Sequence, residues 1–149
     1  MKQNVVILLA EDNPGHAKLT KKHLKRVGIC NTIYHFQNGE ELLDLLNENN
    51  LSNPYFEAGQ KYIIIMDLKM PKMDGLKALK HRKIDEGFSV ISVIMFSTID
   101  AFIEIFQCYK NGCNEYIVKP ATSLNFSNFI SSLVSYFKII QNKKNKRYK

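Results

Sequence analysis

Five short apolar runs alternate with longer amphipathic segments along the chain. The runs are VVILLA, TIYHF, YIIIM, VISVIMF and YIV, at positions 5–10, 32–36, 62–66, 90–96 and 116–118. Their length and β-branched residues favour strands, and their continuous hydrophobicity is typical of strands that are buried on both faces. We therefore expect each run to form one strand of a common sheet.

A helical pattern follows each predicted strand. Asn13 and Pro14 are typical of an N-cap and first helical residue, and Gly28 is a typical stop for that helix. Four more helices are predicted over 40–47, from Asp74-Gly75 to about residue 83, from an N-cap at Asp100 to Asn111-Gly112, and over 123–140. Five strand–helix units in series predict an α/β fold with a parallel sheet between two layers of helices.

The composition is that of a single globular domain. The chain has 149 residues, of which 45% are hydrophobic and 23% charged, so it can bury a core and is not expected to be disordered. Its apolar runs are far shorter than the roughly 18–20 residues of a membrane span. We expect neither membrane insertion nor a signal peptide, and we expect a cytoplasmic protein with three reduced cysteines.

The formal net charge of +7 is concentrated at the C-terminus. Five basic residues lie within the last seven positions, namely Lys143, Lys144, Lys146, Arg147 and Lys149. We interpret 1–142 as the domain and 143–149 as a basic, disordered tail. The alternative is an arm that binds phosphate or lipid headgroups, and direct nucleic-acid binding is not expected.

Polar side chains follow four of the five predicted strands, at the point where each strand ends. These residues are Glu11 and Asp12 after the first strand, Asp67 after the third, Ser97 after the fourth and Lys119 after the fifth. The carboxyl ends of parallel strands share one edge of the sheet, and ligands bind there at the point where the strand order reverses. The sequence therefore predicts that these five side chains converge.

This set of side chains suits phosphoryl chemistry assisted by a hard cation. Clustered carboxylates repel each other without a cation, and oxygen ligands without His or Cys favour Mg²⁺. Lys119 and Ser97 could hold a tetrahedral anion beside the metal. Asp67 could then attack a phosphoryl donor and form an aspartyl phosphate.

The residues at these strand ends resemble a known family, the receiver domain of two-component response regulators, which has the CheY-like fold. The matching segments are ILLAEDNP, IIIMDLKMPKMDG, IMFST and EYIVKP, and the resemblance covers about residues 3–140. It implies a flavodoxin-like (βα)5 sandwich with the strand order 2-1-3-4-5. The EDNP start and the long 47–61 segment look like the stand-alone regulators that partner phytochrome-type kinases.

The resemblance also implies roles for the acidic residues. Asp67 is implied as the phosphoacceptor, which takes a phosphoryl group from a sensor histidine kinase or a histidine phosphotransfer protein. Asp12 is implied as a direct Mg²⁺ ligand, with Glu11 acting on the metal largely through water. The backbone carbonyl of Lys69 is implied as a further metal ligand.

A second set of implied roles concerns switching. Ser97, where the family often has Thr, is implied as the switch hydroxyl, and Lys119 as the lysine that pairs with phosphate. Tyr116 is implied as the aromatic switch residue, with an ordinary partly buried strand aromatic as the alternative. Phosphorylation should then repack the surface of the fourth helix, fifth strand and fifth helix, which binds a partner or a second copy of the chain.

Other residues near Asp67 are expected to affect the lifetime of the phosphoryl group and the shape of the loop that follows Asp67. Lys69 and Ile99 stand where the family's side chains flank the phosphoryl group, and their bulk predicts a long-lived phosphoryl state. Met70-Pro71 and Asp74-Gly75 fit a sharp loop, because Pro fixes φ and Gly permits unusual φ values.

Cys108 and Cys113 are expected to have no redox role.

The resulting prediction is a stand-alone signalling protein, not an enzyme, with no DNA-reading module after the fifth helix. A phosphatase or phosphotransferase is the first alternative, but such an enzyme usually needs a second carboxylate as acid/base at the position of Lys69. An FMN-binding protein would need a hydroxyl-rich loop where AEDNPG stands. A nucleic-acid binder would depend on the basic tail.

Overall fold

The computed structural model describes residues 5–26, 28–47, 60–70, 72–84, 91–119, 131, 134–135 and 138–139. The strands in these residues are β1 (Val6–Ala10), β2 (Ile33–Phe36), β3 (Tyr62–Asp67), β4 (Ser92–Ser97) and β5 (Glu115–Val118). The helices that follow the first four strands are α1 (Pro14–Arg26), α2 (Gly39–Asn47), α3 (Gly75–Ile84) and α4 (Phe102–Lys110). Each of these elements was predicted from the hydrophobic pattern. The predicted fifth helix lies largely outside the described residues, as do the tail and most of the 47–61 segment.

The five strands form one parallel sheet in the order β2-β1-β3-β4-β5. This order confirms the predicted α/β fold and the 2-1-3-4-5 topology. The chain runs from β1 outward to β2 and then returns to β3 on the other side of β1. The strand order therefore reverses between β1 and β3, and the crevice at their carboxyl ends is the expected ligand site.

Successive residues of the central strands point into two separate cores. On one face, Ile63 and Ile65 of β3 join a cluster that includes Leu24 of α1. On the other face, Ile64 and Met66 join a cluster that contains residues of α2, α3 and α4. All six residues of β3 are buried, which explains why the run is continuously apolar and does not alternate.

The two ends of α1 have the predicted caps. The side-chain oxygen of Asn13 accepts a hydrogen bond from the backbone N–H of His16 at 3.0 Å, as an N-cap residue does. At the other end Gly28 has a φ of 97°. The N–H groups of Gly28 and Ile29 donate to the carbonyls of Lys25 and Leu24, which is the Schellman arrangement that ends many helices.

The N-cap predicted for α4 was wrong by one residue. Ala101, not Asp100, is the N-cap, and it provides no side-chain cap hydrogen bond. Ile99 is held at its N–H by the Ser97 hydroxyl and at its carbonyl by the Tyr116 hydroxyl. The chain therefore stays extended through Ala101, and this tertiary constraint overrides the local preference of Asp100 for the cap position.

Across the part of the chain that the structure describes, no helix has both the length and the apolarity needed to cross a membrane.

Candidate functional site

Three carboxylates meet at the reversal point between β1 and β3. Glu11 and Asp12 directly follow β1, and Asp67 is the last residue of β3. Each carboxylate offers one oxygen atom, and these three atoms lie within 4.8 Å of one another. Glu11 and Asp67 are buried whereas Asp12 is exposed, so the cluster is open to solvent on the Asp12 side.

Lys119 joins this cluster from the end of β5. Its Nζ atom lies 2.6 Å from Glu11 Oε1 and 3.2 Å from Asp67 Oδ2. The ammonium also lies 4.4 Å from the centre of the Phe96 ring, a favourable position for a buried cation. The structure therefore brings together the carboxylates and the ammonium that the strand ends predict.

The cluster has more negative charge than its one ammonium can balance. Burial raises the pKa of Asp67 from 3.8 to about 6, the Lys119 charge opposes this rise, and the nearby Glu11 adds to it. A pKa that stays raised despite a direct ion pair shows that desolvation outweighs the attraction of Lys119. The all-oxygen donor set and the excess negative charge fit a hard divalent cation such as Mg²⁺.

The raised pKa of Asp67 predicts how stability depends on pH. We expect Asp67→Asn to raise the free energy of unfolding at pH 7.5 by about 1 kcal/mol in metal-free buffer, because the variant has no buried charge at this position. For the wild type, the contribution of Asp67 is fully present below pH 3.8 and is lost as the pH rises through about 6. Urea unfolding at pH 4 and pH 7.5 measures this difference, which should be small at the lower pH. An equal difference at both pH values would contradict the assignment.

The backbone around the acidic residues is fixed by hydrogen bonds. Glu11 Oε2 accepts a hydrogen bond from the Asn13 N–H at 3.2 Å, and the Glu11 carbonyl lies 2.7 Å from His35 Nε2. The Lys69 N–H donates to Asp67 Oδ1 at 3.4 Å, and the Lys69 side chain is exposed. The role of the Lys69 carbonyl as a metal ligand stays a prediction.

Ser97 and Tyr116 are linked through Ile99. Ser97 is buried at the end of β4, and its hydroxyl accepts a hydrogen bond from the Ile99 N–H at 3.2 Å. The Tyr116 hydroxyl donates to the Ile99 carbonyl at 2.8 Å, and burial raises the pKa of Tyr116 to about 12. The Tyr116 side chain is thus buried in this conformation, and its backbone N–H donates to the Tyr109 hydroxyl of α4.

His16 is a site residue that the sequence analysis missed. Its Nδ1 atom lies 3.3 Å from Lys119 Nζ. Burial lowers the pKa of His16, and the Lys119 charge lowers it further. The available signal was positional, because the first turn of the helix after β1 lies at the same sheet edge as the acidic residues.

The loop between β3 and α3 depends on Gly75, but for a different reason from the one predicted. Gly75 does not have a positive φ. A Cβ atom at this position would instead overlap the carbonyl oxygen of Asp67 and approach Leu68 Cα to 3.0 Å. The Gly75 N–H donates to the Leu68 carbonyl at 2.7 Å, so this glycine permits a close approach of two backbone segments.

The fold and the site define a class of doubly wound α/β proteins with an acidic, lysine-paired cluster at the switch point. The family model described as the response regulator receiver domain matches residues 7–130. The chain therefore belongs to this family. It is a CheY-like receiver domain of two-component signalling, a family whose members generally act as phosphoacceptors.

Comparison with individual proteins agrees with this assignment. The chemotaxis protein CheY1 of Helicobacter pylori is 31% identical over 116 residues, covering 78% of this chain and 86% of the relative. A receiver domain from Rhodospirillum rubrum is 35% identical, with a TM-score of 0.80 and coverage of 91% and 94% of the two chains. The phosphorylated cyanobacterial phytochrome response regulator RcpA is 25% identical, with a TM-score of 0.78 and the same coverage.

Proposed function

We propose that this protein receives a phosphoryl group on Asp67 and then changes the surface that it presents to a partner. The donor is the phosphohistidine of a sensor histidine kinase or of a histidine phosphotransfer protein. The observation that carries the proposal is the position of the Asp67 carboxylate, which lies 3.2 Å from Lys119 Nζ and within 4.8 Å of the Glu11 and Asp12 oxygens.

Mg²⁺ fits the acidic side of this site. Asp12 and Asp67 would hold it directly, with Glu11 acting through water and the Lys69 carbonyl as a further ligand. The bound cation supplies positive charge that reduces the repulsion between the carboxylates and the incoming phosphoryl group.

The transfer step uses the buried groups of the site. One Asp67 carboxylate oxygen forms a bond to phosphorus while the bond from phosphorus to the donor's imidazole nitrogen breaks. The electron pair of the broken bond stays on that nitrogen. Lys119 then offers a hydrogen to a phosphoryl oxygen, and the Ser97 hydroxyl turns from Ile99 towards the phosphoryl group.

The hydrogen bonds of Ser97 provide a route from this site to the surface. Ile99 is bonded to both Ser97 and Tyr116, and the Tyr116 N–H is bonded to Tyr109 of α4. When the Ser97 hydroxyl leaves Ile99, the hydrogen bonds that hold Tyr116 and the start of α4 can rearrange. Tyr116 is therefore the proposed switch residue.

The exposed face of α4 and β5 supports a role in binding. Its large apolar side chains are Phe102, Ile103, Phe106 and Tyr109 of α4 and Val118 of β5, which are 38–81% exposed. Phe102 and Phe106 stack with their ring centres 6.0 Å apart. Apolar patches of this kind mark interaction surfaces. We propose that this patch and the predicted fifth helix form one surface, and that a partner protein or a second copy of the chain binds to it.

The proposal keeps 1–142 as the receiver domain and 143–149 as a basic tail without a direct role in nucleic-acid binding. It also places the protein in the cytoplasm, where free cysteines such as the buried Cys108 and Cys113 remain reduced. The similarity to RcpA, a cyanobacterial phytochrome response regulator, supports a phytochrome-type kinase as the donor.

The proposal is tested by intact-mass measurement after incubation with acetyl phosphate and Mg²⁺. We expect the wild type to gain one phosphoryl group, because the Asp67 carboxylate faces Lys119 and lies beside Asp12, where the cluster is open to solvent. The gain should disappear when the metal is chelated and in the Asp67→Asn variant. A gain that persists in this variant would show that Asp67 is not the acceptor, and the absence of any gain in the wild type would overturn the proposal.

The same experiment measures the lifetime of the phosphoryl group. Lys69 is exposed next to Asp67, and the partly buried Ile99 packs against the core close to Ser97. Their bulk should slow the approach of water to the phosphorus. After removal of acetyl phosphate the mass gain should persist beyond minutes, and decay within seconds would contradict this part of the proposal.

A further inference from the structure

The ammonium of Lys119 has an acceptor for each of its three hydrogens. Glu11 Oε1 lies 2.6 Å from Nζ, Asp67 Oδ2 lies 3.2 Å from it, and His16 Nδ1 lies 3.3 Å from it. A lysine ammonium has three donor hydrogens and no acceptor. The acceptor on His16 is therefore a neutral imidazole nitrogen, whereas the acceptors on Glu11 and Asp67 are carboxylate oxygens.

The local structure holds the His16 ring in this place. His16 lies in the first turn of α1, and its backbone N–H donates to the Asn13 side chain at 3.0 Å. Because an ammonium can only donate, Nδ1 of His16 must be the unprotonated nitrogen and Nε2 must carry the hydrogen. The neutral ring is also the form favoured by its partial burial and by the charge of Lys119.

We infer that His16 is a positioning residue for Lys119. Together with Glu11 it holds two of the three ammonium hydrogens, so that the third is directed at Asp67. The consequence for catalysis rests on the function proposed above. When the Asp67 oxygen bonds to phosphorus, the Lys119 hydrogen that was directed at Asp67 forms a hydrogen bond to a phosphoryl oxygen. Glu11 and His16 keep the other two ammonium hydrogens in place.

Without His16 the ammonium has one free hydrogen and can rotate towards water. The hydrogen that serves Asp67 would then be correctly directed for only part of the time. Phosphorylation should slow by about fivefold, the effect of weakening one hydrogen bond to a charged group. It should not be abolished, because Glu11 and Asp67 still hold the lysine.

Side-chain geometry offers a matched set of variants. Asn places its carbonyl oxygen two bonds from Cβ, which is the position of Nδ1 in histidine. Gln places its oxygen one atom further, nearer the position of Nε2. We therefore expect His16→Asn to keep the acceptor, and His16→Leu and His16→Gln to lose it. His81→Leu is the control, since His81 is an exposed residue of α3 and the substitution is chemically the same.

Two measurements on the full chain separate positioning from a structural effect. The first is the hydrogen exchange of the Lys119 ammonium, observed in ¹H–¹⁵N spectra without phosphate donor and assigned by its absence in Lys119→Met. The second is the initial rate of phosphorylation by acetyl phosphate with Mg²⁺. His16→Leu and His16→Gln should exchange faster and react about fivefold more slowly, whereas His16→Asn and His81→Leu should match the wild type in both.

Any other pattern of exchange among folded variants overturns the inference. If His16→Leu leaves the ammonium exchange unchanged, His16 does not position Lys119. If His16→Asn behaves like His16→Leu, the acceptor at the Nδ1 position is not what matters. Should His16→Leu fail to fold, the comparison of His16→Asn with His16→Gln decides the question in the same way. If the wild type takes no phosphoryl group, the proposed function fails, and the exchange measurement still decides the position of Lys119.

Discussion

Replacing Lys119 with methionine should lower the free energy of unfolding by about 3 kcal/mol at pH 7.5 in metal-free buffer. Methionine matches the length and apolar stem of lysine but removes the ammonium. The side chains of Glu11 and Asp67 would then face each other in a buried site without a cation, and the loss of one partner from a buried ion pair is expensive. Urea unfolding followed by circular dichroism measures the loss.

Two controls show whether repulsion between carboxylates causes this loss. Lys119→Met combined with Asp67→Asn should recover at least half of the lost stability, because only Glu11 then remains charged in the buried part of the site. Mg²⁺ should stabilise Lys119→Met more than it stabilises the wild type, since the metal replaces part of the missing positive charge. A double variant no more stable than Lys119→Met would show that lost packing, and not charge, is responsible.

Replacing Gly75 with alanine should lower the free energy of unfolding by about 3 kcal/mol or more. The added Cβ would overlap the carbonyl oxygen of Asp67 and crowd Leu68 Cα. Both of these atoms are backbone, so no side chain can move aside to make room. The loop must separate from α3, which breaks the hydrogen bond from the Gly75 N–H to the Leu68 carbonyl and displaces Asp67. Urea unfolding in metal-free buffer measures the effect.

Gly28→Ala provides the matched control for Gly75→Ala. Gly28 has a φ of 97°, but a Cβ there would meet no atom within 4 Å. The same substitution at Gly28 therefore costs only backbone strain, about 1 kcal/mol. If Gly75→Ala were no more destabilising than Gly28→Ala, the close approach at Gly75 would not be a real constraint on the fold.

The positions of the site residues could be predicted because they follow from topology alone. A residue that directly follows a buried parallel strand must lie at the carboxyl edge of the sheet, so Glu11, Asp67 and Lys119 converge whatever the details of packing. The strands could also be located to within two residues at each end, because burial on both faces of β3 leaves a continuous apolar run in the sequence. The specific distances between Lys119 and its acceptors were not accessible.

Other features could not be predicted because they depend on contacts between distant segments. Asp100 has the right chemistry for an N-cap, yet Ser97 and Tyr116 keep the preceding loop extended and move the cap to Ala101. The contact of His16 with Lys119 joins residues 103 positions apart. The requirement at Gly75 was attributed to backbone conformation, whereas only the folded chain shows that the requirement is for space.

The hydrogen bond between Tyr116 and Tyr109 also protects the edge of the sheet. Among the described strands β5 pairs only with β4, and unpaired N–H groups on such an edge can recruit strands from other chains. The Tyr109 hydroxyl accepts the Tyr116 N–H at 3.0 Å and donates to the Glu115 carboxylate at 3.3 Å. The Tyr109 side chain of α4 thus accepts the hydrogen bond that the Tyr116 N–H could otherwise donate to a strand of another molecule. This contact reduces the tendency of the β5 edge to aggregate.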